Sequence, residues 1–209
     1  MMEPTGVKFS GNIRLPEQDI DSHFLDTLHA IDRVHGVNFI LSNKIPVVFD
    51  GMIRGNGLFE AIPGVGMTIK ISPNTALFAR GEVLVHEIGH CLDLVIGDLR
   101  GFSSATSPLW EKWRVLVEAS HAIQTIRSTN NPVFTPYWLQ PKEQFARCYF
   151  QYITIRSSDV GLSMYLESEL EIGRKTGYTT QWESDDFERI ADEIDSVFEK
   201  LKWLTKKKP

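Results

Sequence analysis

The chain has 209 residues, of which 42% are hydrophobic, and its 22 lysines and arginines against 27 aspartates and glutamates leave a formal charge of −5. That much apolar content buries one sizeable core, so a single domain over residues 1–209 is expected. The acidic balance supplies no concentrated basic face for nucleic acid, and no run has the length of a secretory h-region or a membrane span, so a soluble, cytoplasmic protein without membrane or nucleic-acid partners is expected.

In chain order, residues 17–35 place Ile20, Phe24, Leu28, Ile31 and Val34 at helical spacing ahead of Gly36, which predicts an amphipathic helix. Short runs at 45–49, 57–61 and 67–71, separated by glycine, proline and aspartate, predict a small sheet of three or four strands. The run 67–71 alternates apolar and polar residues, as a strand with one wet face does. It is expected to be an exposed edge, where the backbone at Thr68, Ile69 and Lys70 receives an extended peptide. A helix from about Ala76 or Arg80 to Ile96 follows, closed by Gly97. A loop over 98–108 precedes a helix at 109–127, and a second loop runs through Pro136. Further helices are predicted at 141–155, with Pro141 in the first turn, at 162–174 and at 184–203, with a strand-like piece at 178–182. The fold class is α+β: a small N-terminal mixed sheet with helices, and a helical C-terminal part.

The predicted helix over 80–96 carries His86-Glu87-Ile88-Gly89-His90. Residues four apart lie one above the other on a helix, so His86 and His90 offer two imidazole nitrogens to one ion. Glu87 points to the flank of that face, where a carboxylate reaches a metal-activated water as general base. Gly89 lets another backbone approach the metal face. Cys91 follows His90, and adjacent helical residues diverge by about 100°, so it is read with Cys148 as a small buried hydrophobe. Two cysteines without CxxC spacing make no disulfide framework. His23, His29, His35 and His121 lack ligand spacing with a partner and are read as surface or packing residues.

Catalytic zinc takes three protein ligands and keeps an open position. The extension HExxHxxGxxH fails here, because Asp93 and Ile96 stand at the glycine and third-histidine positions. The best remaining ligand is Glu143, in the first turn of the helix at 141–155, although a glutamate there is also favoured by the helix dipole alone. Asp93, three residues after His90, is either a carboxylate that orients a ligating imidazole or a solvent-facing residue. Arg147 either pairs with an acid or is exposed.

The segments HEIGHCLD (86–93) and YWLQPKEQFARCYF (137–150) resemble the gluzincins, metallopeptidases with two histidines from HExxH and a glutamate from a following helix. Within them the likeness is to the group of the anthrax lethal factor catalytic domain and the Pro-Pro endopeptidases, and to phage-encoded zincin-like domains. The resemblance implies a zincin-like fold, one zinc ion held by His86, His90 and Glu143, a peptide or protein substrate, and hydrolysis with Glu87 as general base. It also implies an oxyanion-steadying tyrosine seven residues before the glutamate. This chain has Pro136 there, and Tyr137, six before, takes the role. Two rival readings are a zincin scaffold that binds without turnover, against which intact Glu87 speaks, and a nucleic-acid-associated zincin, against which the charge speaks.

Overall fold

The computed structural model describes residues 8–16, 22–36, 44–129 and 131–204. A 3-10 turn at Phe9–Asn12 enters strand β1 (Ile13–Arg14), followed by helix α1 (Ser22–Val34), strands β2 (Ile45–Phe49), β3 (Gly57–Ile62) and β4 (Gly66–Ile71), and helix α2 (Arg80–Ile96). The rest is helical: α3 (Ser103–Thr106), α4 (Glu111–Ala119), α5 (His121–Thr129), α6 (Phe134–Trp138), α7 (Pro141–Ser157), α8 (Val160–Thr176) and α9 (Ser184–Lys200). The architecture is therefore α+β, with one small mixed sheet.

In α1 the predicted periodicity holds: Phe24, Leu28, Ile31 and Val34 are buried, while 17–21, including Ile20, lie outside the described residues. Helix α7 is different, because every residue from Glu143 to Thr154 is buried. A helix covered on all sides is the centre of its domain rather than a surface element. It crosses α2 at Gly89, where an added Cβ would stand 2.9 Å from the Ala146 Cα. The expectation that Gly89 admits a close backbone is met by α7 itself.

The sheet corrects one expectation. Its order is β1-β2-β4-β3, with β2 parallel to β4 (Val47 opposite Ile69) and β3 antiparallel to it (Phe59 opposite Ile69). Strand β4, expected at the edge, is interior: Ile69 and Lys70 are paired on both sides, and Thr68 is paired with Glu60 of β3. No peptide can add there. The alternation arose from a different cause: Ile69 and Ile71 are buried, whereas Lys70 turns outward to ion pairs with Glu60 at 3.2 Å and Asp50 at 3.5 Å. The edge beside β4 is β3, with β1 at the other end of the sheet.

One helical and one strand-like segment also differ from expectation. The helix at 109–127 breaks at Ser120, whose extended backbone lets its hydroxyl accept from the Ile123 amide and the Trp182 indole. A hydroxyl at an N-cap starts a new helix rather than continuing the old one. The stretch 178–182 forms no strand, because the main chain of Trp182 is bracketed by a side chain: Gln151 donates to its carbonyl at 2.7 Å and accepts from its amide at 3.0 Å.

The end of α9 is tied back to α1 through His35. Its Nε2 meets the Tyr149 hydroxyl at 2.9 Å and its Nδ1 faces the Trp203 carbonyl at 3.3 Å, while the Gly36 amide donates to that same carbonyl. Burial lowers the His35 pKa from 6.5 to about 4, against the opposing pull of the Trp203 carbonyl and Asp32. The fold therefore excludes a proton that the unfolded chain binds. The stability this contributes is present above pH 6.5 and is lost as pH falls toward 4, by up to about 3 kcal/mol. Urea denaturation between pH 7 and pH 4 is expected to show that fall. In His35→Gln, less stable at pH 7, the slope across the window flattens; equal slopes in the two proteins contradict the assignment.

Candidate metal centre

Helix α2 presents His86 and His90 one turn apart, with ring centroids 4.9 Å apart and nearly perpendicular planes. The crossing at Gly89 brings the first turn of α7 over them. There Glu143 Oε2 lies 3.5 Å from His86 Nε2, and Glu143 Oε1 lies 3.5 Å from His90 Nε2. One ligand atom from each of the three residues lies within 4.8 Å of the others, the only such cluster of three among the described residues. Donors at about 2.1 Å from a tetrahedral ion stand about 3.4 Å from one another. The 3.5 Å separation of one carboxylate oxygen from each imidazole is close to that value, so the three residues could hold a metal ion.

The electrostatics agree with the geometry. Glu143 is 3% exposed, and its Oε2 has no hydrogen-bond partner among the described residues. Burial favours its neutral acid, but His86 and His90, with the charge of His90 and the Tyr137 phenol, outweigh burial and hold its carboxyl well below the usual range. Burial in turn lowers His86 to about 4. At neutral pH a neutral imidazole therefore faces an ionised, buried carboxylate. Such a carboxylate is costly without a cation, and neutral imidazole with carboxylate is the protonation state that a divalent ion requires.

Glu87 sits beside this cluster, 5% exposed, with Oε2 lacking a hydrogen-bond partner among the described residues. Burial pushes its carboxyl up to about 7; His90, the Phe59 amide and Lys142 act in the other direction, and Glu143 reinforces the rise. A general base works best near the ambient pH, and its environment tunes this carboxylate to that range. The space it occupies exists because β3 passes overhead without a side chain. A Cβ on Gly57 would stand 2.6 Å from Glu87 Oε1 and 2.9 Å from Glu87 Cγ. Sequence reasoning missed Gly57, since nothing local ties a strand's first glycine to a helix residue thirty positions on.

Tyr137, on α6, is 44% exposed, and its phenol bears on Glu143. Burial and the Glu143 carboxylate both oppose its ionisation, so it remains a hydrogen-bond donor at neutral pH. Both alternatives weighed for Asp93 are overturned: it is fully buried, and it accepts from the Ser104 amide at 2.6 Å and from the Ser104 hydroxyl rather than from an imidazole. His90 Nδ1 has no hydrogen-bond partner among the described residues. Asp93 thus pins the start of α3 to α2, and the loop it fixes carries Phe102, whose ring lies 5.9 Å from that of His90. Arg147 is likewise neither exposed nor paired; it is buried against aromatic rings. Beside the cage, a groove of about 870 Å³ is lined by residues that include Phe59, Ile62, Met67, Leu94 and Phe102.

The four histidines read as non-ligands lie outside the cage, and Cys91 and Cys148 are buried and unpaired. No helix of the described residues is long and apolar enough to cross a membrane. Comparison of the chain with protein-family models, curated proteins and solved structures gave no match.

The helix crossing itself is testable. Gly89→Ala forces α7 away from α2, which is expected to cost about 1–3 kcal/mol by overpacking and to weaken zinc binding at least tenfold in calorimetric titration. Gly161→Ala, whose nearest atom would be the Asp159 carboxylate at 3.5 Å, is the control and leaves zinc affinity unchanged. Equal affinities in the two variants contradict the role given to the crossing.

Proposed function

We propose that the chain is a zinc-dependent endopeptidase of gluzincin type, with a zincin-like fold and His86, His90 and Glu143 as ligands of one ion. The observation that carries this reading is the 3.5 Å approach of one buried carboxylate to two imidazoles a helical turn apart. Bound zinc supplies Lewis acidity, polarising a peptide carbonyl and making a water molecule acidic enough to lose its proton near pH 7.

The remaining chemistry belongs to this chain. Glu87 takes the proton of the attacking water and passes it to the departing amine, a cycle suited to a carboxyl whose pKa stands at about 7. Tyr137 donates its hydroxyl to the oxygen of the carbonyl under attack, where charge develops. The Lys142 ammonium, 3.9 Å from Glu143 Oε1, adds a positive field at the rim.

The peptide lies along β3 rather than β4. In the antiparallel pair, Asn56 accepts from Ser72 across the ladder, so the groups of Gly57, Phe59 and Ala61 face the other way. The Phe59 amide is directed at Glu87. This leaves the Ala61 amide and the outward carbonyls as a short main-chain template passing over the catalytic carboxylate.

The native chain and Glu87→Ala are expected to bind about one zinc each, with cleavage of a diverse peptide library confined to the native chain. His86→Ala is expected to lose the metal as well. Zinc in the native chain without cleavage of any peptide overturns the peptidase reading and leaves a metal-holding binding protein. The strand assignment has its own test: Ala61→Pro removes one outward amide without touching the β3–β4 ladder and is expected to raise KM about tenfold while kcat changes little. Unchanged KM places the peptide elsewhere.

A further inference from the structure

Arg147 stands one turn beyond Glu143 on α7, so the two side chains leave the helix on the same face. It is 6% exposed, and no described residue forms a hydrogen bond or ion pair with it. Its guanidinium instead lies over two aromatic rings of α6, 4.9 Å from the centroid of Trp138 and 5.9 Å from that of Tyr137. Burial lowers its pKa to about 10 against the pull of Glu143, Tyr137 and Glu82, so it is charged at neutral pH.

Helix α6 needs such an anchor. It is five residues long and buries none of them, and so short a helix has no stability of its own. Its N-terminal side is tied by Asn131, whose side chain accepts from the Val133 and Phe134 amides at 3.0 Å. Its outer face is closed by ring contacts, Phe134 on Trp138 at 5.7 Å and Trp138 on Tyr178 at 4.6 Å. None of these faces α7. The contacts on the inner side, beside the metal cage, are the Tyr137 phenol on Glu143 and the Arg147 guanidinium under both rings. A planar cation is well suited to that place, because it stacks on both rings at once, which an ammonium does poorly.

We propose that Arg147 is a positioning residue: stacked beneath Tyr137 and Trp138, its guanidinium fixes α6 to α7 and so holds the Tyr137 hydroxyl at the metal cage. Only the kinetic consequence rests on the peptidase reading; the anchoring of α6 does not. In the zinc-loaded enzyme the loss of Arg147 acts through Tyr137, so it lowers the rate of the chemical step and spares substrate binding.

The test compares native protein, Arg147→Met, Arg147→Lys, Tyr137→Phe and the Arg147→Met/Tyr137→Phe double variant, all zinc-loaded. Arg147→Met is expected to lower kcat at least tenfold with KM within about twofold, and adding Tyr137→Phe to it lowers kcat by less than twofold more. Arg147→Lys recovers part of the loss. Independently of turnover, amide hydrogen exchange over 131–140 is expected to quicken at least tenfold in Arg147→Met and to stay native-like in Tyr137→Phe. If Arg147→Met does not fold, Arg147→Lys is expected to quicken exchange over 131–140 while exchange in the rest of α7 stays native. Native exchange over 131–140 in the Arg147 variants, or losses in kcat that multiply in the double variant, overturn the proposal. Should the native chain cleave nothing, the peptidase reading fails and the exchange measurement decides the role of Arg147 by itself.

Discussion

A single ionised carboxylate buried between two imidazoles organises this molecule. Glu143 reaches His86 and His90 because α2 and α7 cross in near contact, with Gly89 of one against Ala146 of the other. Neither helix can be displaced by the thickness of a methyl group without opening the donor set. The surroundings are arranged to hold the crossing: α7 is buried from Glu143 to Thr154, and Trp110 and Trp113 pack against its Phe145, which stacks on Tyr149 one turn on. The hydrophobic core thereby stabilises an arrangement of charge that would not assemble by electrostatics alone.

A second close approach sets the Glu87 carboxylate. Glu87 lies under β3, in a space left by the absence of a side chain at Gly57. The sheet thus serves the site directly: it walls Glu87 away from solvent, raises its proton affinity by burial, and leaves its own outer backbone groups open beside it. That the strand doing this is the antiparallel one follows from the hairpin. Strand β4, the return strand, pairs parallel with β2, so β3, the first strand of the hairpin, takes the edge.

Helix α7 links the parts that act together. Along it in succession, Glu143 meets the imidazoles, Arg147 stacks under α6, Tyr149 bonds His35, and Gln151 brackets the main chain of Trp182. Most of the segments after α2 are thereby referred to one rigid rod, which keeps a site assembled from distant stretches of sequence in register.

Local spacing determined a great deal. The His86–His90 pair and its flanking Glu87 follow from 3.6 residues per turn, and Glu143 was legible as a first-turn glutamate on a following helix. The α+β class and the core residues of α1 were visible for the same reason, since helical periodicity is written in neighbouring residues. What tertiary structure alone decided is whatever depends on which distant segments meet. The alternation in 67–71 described one wet face but not which strands would flank it, so the edge fell to β3. The carboxylate of Asp93 met Ser104, whose position relative to α2 is set by a loop and not by helical spacing. The burial of Arg147 under Trp138 and the gap at Gly57 above Glu87 depend on contacts between elements whose order along the chain says nothing of their distance in space. Periodicity fixes the direction of a side chain relative to its own backbone; packing chooses the partner, because burial rewards any complementary surface that closes the core.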